Sequence, residues 1–416
     1  MKRLRLAILA FAAFAAMAVN GQLFHPLGIG IETPKDMTGA FWPQMHVEGD
    51  ILYVCTKQGL YSKDLSDDES EWQLVGFEGV PLQDYARRGS DILAMRYSYE
   101  YSSNGSFLLL SHDGGQTYED ITPSVFREPY HITLLNLVQH PTDPNTLLVS
   151  SYPEGGIYKT TDFGQTWNNL SSFTPNYIGF HPLNPEIIYE CYGGGNTDEK
   201  TDFRISYDGG QTWKDKYSCF PYYNLVYRIA FHPTDPNRWI AGGSKHVHTT
   251  NDNGLTWSSL QLDYGEIDWR YEAFYLDWRY AAYDDENADV VYMAGGSRSE
   301  YMKVMCSTDG GKTWDKIYQE PIKTTPREFM FDMKQYGDKL LVYSQSDVYE
   351  ISKAELLAQG QDATSVQSIV QPTTEDGALY DLSGRKISAE ANSSFFILHS
   401  SFKSGIYIEG GKKKVK

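Results

Sequence analysis

Fourteen side chains in this 416-residue chain have the types and neighbours that grip ligands. Arg88, beside Arg87, precedes one expected inner strand, and Tyr97 and Glu100 stand in an inter-strand loop. Arg127, Glu128 and Tyr130 form a second cluster, and Tyr222, Tyr223 and Arg228 a third. Asp268, Trp269 and Arg270 form a fourth, followed by Arg298 in one loop and Arg327 at the start of the last repeat. Tyr and Trp offer flat apolar faces with a polar edge, on which sugar rings stack. Asp, Glu and Arg bind hydroxyls, and a planar guanidinium takes a carboxylate through two parallel hydrogen bonds. Protein interfaces use the same residues at their hot spots. Any single aromatic here can equally fill a gap in a core. The ligand class stays open between glycan and protein.

No catalytic residue is assigned. The sequence holds no nucleophile elbow, phosphate loop, HExxH pair or dinucleotide fingerprint. Cys55, Cys191, Cys219 and Cys306 are the only cysteines, and their spacing fits no zinc site. Neither metal nor cofactor is expected. Buried thiols are the favoured state, with Cys191–Cys219 as the one candidate bridge. Formal net charge is −18, which argues against nucleic-acid binding, because phosphate contacts need clustered Lys and Arg.

The elements that must position these clusters repeat. Five segments share the pattern Ser/Thr-x-Asp-x-Gly-x-Thr-Trp/Tyr, with aspartates at Asp113, Asp162, Asp208, Asp252 and Asp309. The closing aromatics are Tyr118, Trp167, Trp213, Trp257 and Trp314. Apolar runs flank each copy and read as strands. Asp accepts hydrogen bonds from backbone N–H groups further on, and Gly supplies the positive φ of a tight turn. The unit is a hairpin with a self-capped turn and an aromatic anchor. A carboxylate repeated five times in this way is a construction device, not a metal or catalytic site.

A second repeat reads His-Pro-x-Asx-Pro, at His140, His181 and His232, each time before a strand. Asp284 stands at the same place in a further copy. These histidines are expected to be structural. Repeats of ~40–50 residues with several short strands each indicate propeller blades. The predicted fold is all-β: a single β-propeller of four-stranded blades, seven by this count with six or eight as the alternatives, then a small C-terminal β-sandwich. The first blade is degenerate, with an acidic turn from Asp64 to Glu71 ending in Trp72. The last looks one strand short, and Leu23–Ile31 could supply that strand, closing the ring and removing sheet edges.

Residues 1–21 read as a signal peptide: Lys2, Arg3 and Arg5, then an apolar run too short to span a bilayer comfortably. The propeller is expected over 22–360, a Gln/Ser/Thr-rich linker over 361–374 and the last module over 375–416. No later segment is long and apolar enough to span a membrane.

The five aspartate motifs resemble the Asp-box (BNR) repeats of sialidases, xyloglucanases, sortilin-like receptors and photosystem assembly factors. That family includes enzymes and non-enzymes. Phe126-Arg127-Glu128-Pro129 is similar to the Arg motif of sialidases, which implies a carboxylate grip with Arg228, Arg270 and Arg327 as partners. Here, however, the motif follows an Asp box instead of preceding the series, and no Tyr–Glu nucleophile pair can be assigned. The tail, with Tyr380-Asp381-Leu382-Ser383-Gly384-Arg385-Lys386-Ile387, Gly405-Ile406-Tyr407-Ile408 and a basic end, resembles the C-terminal sorting domain of Bacteroidetes type IX secretion cargo. That resemblance implies engagement of the type IX machinery and export to the cell surface or beyond. The expected function is binding of an extracellular glycan or protein at the loop face. A xyloglucanase-like or sialidase-like glycoside hydrolase is the alternative.

Overall fold

The computed structural model describes residues 23–363 except 31–42, 98–106, 128–132, 153–155, 174, 176, 193–201, 216–225, 227, 244–245, 262–277, 296–302, 315 and 320–329. Beyond these it describes 380–381, 406–409 and 412–415. Seven four-stranded antiparallel sheets follow one another along the chain. Their inner strands are Met45–Glu48, Leu82–Arg88, Thr133–Gln139, Tyr177–Phe180, Ile229–Phe231, Trp278–Tyr283 and Met330–Tyr336. We number the blades 1 to 7 in that order.

The second strand of each blade is apolar on both faces because it is covered on both sides. In Leu147–Tyr152 of blade 3, Leu147 and Val149 pack toward blade 2, whereas Leu148 packs toward blade 4. In Trp239–Gly242 of blade 5, Trp239 and Ala241 pack toward blade 4 and Ile240 toward blade 6. Successive side chains of a strand point to opposite faces, so one strand serves two interfaces. Each neighbouring pair of blades shares its own apolar cluster, including blades 7 and 1. The core is therefore seven wedges around a channel.

The ring closes as the sequence suggested. The short strand His25–Pro26 pairs antiparallel with Val348–Ser352 as the fourth strand of blade 7. Leu23 and Phe24 before it are fully buried, and Phe24 meets the Tyr349 ring edge-on. Asp347 accepts from the Gly28 and Ile29 amides, and the Trp72 indole donates to the Leu27 carbonyl at 2.9 Å. Trp72, which ends the degenerate turn of blade 1, thus anchors the closing segment. The helix Lys353–Ala363 follows blade 7 and runs slightly past the expected domain boundary. In the tail, Tyr380–Asp381, Ile406–Glu409 and Lys412–Val415 form a three-stranded antiparallel sheet. The rest of the expected sandwich lies outside the described residues.

The five aspartate turns share one geometry. In the blade 4 turn, Asp208 Oδ1 accepts from Ser206 Oγ and the Thr212 amide, both at 2.8 Å, and Oδ2 accepts from Thr212 Oγ1. Ser206 Oγ in turn accepts from the Gly210 amide. Those bonds to the charged form, first from the Thr212 hydroxyl, hold the Asp208 carboxyl down at about 2. Two consecutive residues take the left-handed conformation in each turn. The second is always Gly, and a Cβ on Gly210 would lie 2.6 Å from Leu170 of the preceding blade. The first is Phe163 in blade 3, and Arg88 of blade 2 stacks on its ring at 4.4 Å.

The histidine turns are also fixed. Nδ1 of His140, His181 and His232 each accepts from two backbone amides two and three residues on. Asp284 Oδ1 accepts the same pair in blade 6. Cys55, Cys191 and Cys306 are buried thiols, while Cys219 lies outside the described residues.

Candidate functional site

Inner strands run from the loop face, where outer strands return to the next blade, toward the aspartate-turn face. Four of them carry an irregularity close to the loop-face end, after the first or second strand residue. The skipped residues are Gln83, Leu135, Arg279 and Phe331. A bulge of this kind re-aims the residue after it. Those residues are Asp84, Asn136, Tyr280 and Asp332, each with a polar side-chain group. The carbonyls at the bulges are used between blades. Gln83 O accepts from the Gln44 amide, Leu135 O from Gln83 Nε2, and Phe331 O from the Tyr280 hydroxyl.

Arg228 lies directly before the inner strand of blade 5 and reaches across this belt. Its Nη1 donates to Asp332 Oδ1 of blade 7 at 2.8 Å, and its Nη2 donates to Gln44 Oε1 beside blade 1. Tyr177 of blade 4 and Tyr280 of blade 6 flank the guanidinium, their ring centres 4.9 and 4.7 Å from its carbon. Five blades meet on one side chain. Asp332 is fully buried and also accepts from Lys334 Nζ at 2.7 Å and from the Met45 and Met333 amides. Burial pushes its carboxyl up, but the Lys334 and Arg228 charges outweigh that and hold it below the usual range. Burial pushes the Tyr177 hydroxyl up, against the Arg228 charge. A second pair, His46 Nε2 with Asp84 Oδ1 at 2.7 Å, joins blades 1 and 2.

Of the fourteen sequence candidates, four lie among the described residues. Arg228 is central, as above. Arg88 ends its inner strand instead of preceding one: Gly89, with φ of +63°, makes the following residues a hairpin turn. It therefore sits at the opposite end of the blade from the loop face, bound to Asn145 and Asp91 at 2.7 Å each. Arg127 donates from Nε to the Thr122 carbonyl and pairs through Nη2 with Asp120 at 2.7 Å, within its own blade. Tyr97 follows the strand Asp91–Arg96 at the loop face, its amide bound to the Pro81 carbonyl. Glu100, Glu128, Tyr130, Tyr222, Tyr223, Asp268, Trp269, Arg270, Arg298 and Arg327 lie outside the described residues. Sequence reasoning missed Gln44, Asp84, Tyr177 and Asp332. The available signal was a polar residue at one fixed register of the inner strands.

Among the described residues no group of three or more His, Cys, Asp or Glu could hold a metal ion. Two described carboxylates near the loop face, Asp84 and Asp332, are both partnered, Asp84 by a hydrogen bond with His46 and Asp332 by ion pairs with Arg228 and Lys334.

Fold and site together define a seven-bladed β-propeller whose channel is crossed by a buried arginine. Two overlapping stretches, 106–214 and 201–376, match the family described as Sortilin, neurotensin receptor 3, so the chain belongs to the Sortilin–Vps10 family. It is 25% identical over 294 residues to the xyloglucanase Xgh74A of Acetivibrio thermocellus, covering 60% of this chain and 33% of that one. The chain thus spans about a third of the length of these curated relatives. The crystal structure of the GH74 xyloglucanase from Xanthomonas campestris superposes with a TM-score of 0.54 at 16% identity, over 73% of this chain and 50% of that one. YCF48 from Cyanidioschyzon merolae gives 0.50 at 14% identity, over 76% and 98%. Both structural likenesses show the fold alone.

Proposed function

We propose that this protein is a secreted propeller that binds an extracellular glycan or protein at its loop face. The observation that carries this reading is the saturation of the channel floor. Arg228, Asp332 and Lys334 use their charges on one another, so below the loops the described residues form a rigid base rather than a reaction centre. A glycosidase needs two carboxylates ~5–9.5 Å apart with the scissile bond between them. Asp84 and Asp332 near the loop face are already bound, to His46 and to Arg228 and Lys334. Membership of a family described by a receptor supports binding as well. The aromatic loops, with Tyr222, Tyr223 and Trp269, then supply the contact surface.

The five turns carry the Asp-box reading, and the basic-apolar start of the chain carries the signal-peptide reading. The YDLSGRKI and GIYI runs support sorting by the type IX machinery and display at the cell surface. Among the described residues no helix is long and apolar enough to cross a membrane. The xyloglucanase relatives favour one second reading, a glycoside hydrolase acting at the same loops.

The test is a binding series on the full chain, using xyloglucan, acidic glycans and host extracellular proteins as probes. Tyr222→Ala, Tyr223→Ala and Trp269→Ala should each weaken the captured ligand by roughly 30-fold, the scale of an aromatic hot spot. Retained affinity in all three would move the site off the loop face.

A further inference from the structure

The other mouth of the channel holds a cavity of about 600 Å³ at the far ends of the inner strands. This is within the ~300–1,000 Å³ range of small-ligand sites. His46, Glu48, Arg87, Asp285, Lys334 and Gln335 line it, drawn from blades 1, 2, 6 and 7. Asp332 is the wall between the two ends: Oδ1 takes Arg228 on the loop side, and Oδ2 takes Lys334 on the cavity side.

The charges in this cavity are already partnered, but their hydrogen-bonding capacity is not used up. Arg87 stacks on Tyr53 with 4.3 Å to the ring centre and keeps a loose ion pair to Glu48 at 3.4 Å. Among the described residues its guanidinium makes one hydrogen bond to another side chain, a long one of 3.3 Å to the Tyr53 hydroxyl. Glu48 Oε1 takes the Tyr85 hydroxyl at 2.6 Å, which leaves Oε2 with only the loose contact. Lys334 gives one of its three donors to Asp332. Gln335 spends its amide N–H groups on Tyr283 O and Asp285 and its Oε1 is buried away from the cavity space, whereas Asp285 is exposed and keeps acceptor capacity beyond that one 3.3 Å bond.

Spare donors on Arg87 and Lys334 therefore share this lining with spare acceptors on Glu48 and Asp285. An anion would face Glu48 and Asp285; a cation would face Arg87 and Lys334. A hydroxyl both donates and accepts, so vicinal hydroxyls satisfy such a lining without opposing any charge. We infer that this aspartate-turn mouth is a second ligand site, taking a neutral mono- or disaccharide held by Glu48, Asp285, Arg87 and Lys334. Among the described residues no Phe, Tyr or Trp lines the cavity, so recognition rests mainly on hydrogen bonds. The inference stands apart from the loop-face reading, which concerns the opposite end of the channel.

The test is calorimetric titration of the full chain with xylose, glucose, galactose and cellobiose, alongside glucuronate and glucosamine as charged analogues. At least one neutral sugar should bind saturably, with each charged analogue at least fivefold weaker. Glu48→Gln, which keeps the acceptor for Tyr85, and Lys334→Met should each weaken that sugar at least tenfold. Melting curves check the fold, and if Lys334→Met unfolds, the near-isosteric Glu48→Gln decides alone. Absence of saturable binding by all four neutral sugars would overturn the inference. So would affinity unchanged in Glu48→Gln, or a charged analogue that binds more tightly.

Discussion

Asp332 shows how much one carboxylate can be asked to hold. It is fully buried, and two cations and two amides converge on it. Replacing a buried ion pair with apolar groups is often tolerated, but removing one partner strands the other charge and costs about 3–5 kcal/mol. Asp332→Ala should lower stability by roughly that amount in a denaturant melt. Arg228→Met, which removes only one of the two cations, should cost less. The aspartate turns are cheaper: Asp309→Ala loses bonds near the surface and should cost about 1–2 kcal/mol. The turns were legible in sequence because they repeat, and the structure uses them as read. Asp332 and Asp84 were not legible, because each stands among other polar residues of its strand and nothing in the sequence marks it as the buried one. Only the bulge shared by four blades shows why such a residue faces the channel.

At the same scale, the histidines make the fold sensitive to acid. Burial lowers the proton affinity of His181 and His232, and burial followed by the His246 charge lowers that of His248 to about 3. Their folded values lie below the unfolded value of about 6.5. The unfolded chain therefore binds more protons below that pH, and stability falls as the pH falls. The contribution is complete above pH ~6.5 and declines steadily below it, at up to ~1.4 kcal/mol per pH unit for His248. Melting temperature measured from pH 7 to 4 should drop, and His248→Gln should flatten the drop. A pH-independent melting temperature over that span would refute the assignment.

At the scale of elements, ring closure depends on a very short strand. His25–Pro26 makes only a two-residue ladder, so most of its hold must come from side chains. Leu23 and Phe24 supply it, fully buried in the cluster between blades 6 and 7. Truncating a buried Phe typically costs about 3–5 kcal/mol. Phe24→Ala should therefore destabilise the ring by that order, in a thermal melt of the full chain. Closure could be anticipated from sequence because blade 7 lacked an outer strand and an apolar stretch lay at the other end. The position of Arg88 could not. Leu82–Arg88 and Asp91–Arg96 are both strand-like, and choosing the inner one requires knowing that Gly89 turns the chain between them.

For the whole molecule, seven similar wedges give a stiff frame with two unlike ends. At the loop end one blade passes to the next, and the other end carries the fixed turns. Family membership and fold agree on this frame, while the xyloglucanase relatives raise the question of chemistry at the loops. The loop residues, legible in sequence as a cluster of types, have no periodic pattern that would fix their mutual geometry. The most direct measurement is therefore turnover. The full chain would be incubated with xyloglucan and with sialylated and uronate-containing glycans, and bound polysaccharide and released reducing ends would be recorded in the same samples. The account predicts capture of a ligand without release of sugar beyond the no-protein control. Sustained release that grows with protein concentration and disappears in Glu128→Ala or Asp268→Ala would contradict it and make the protein a glycoside hydrolase.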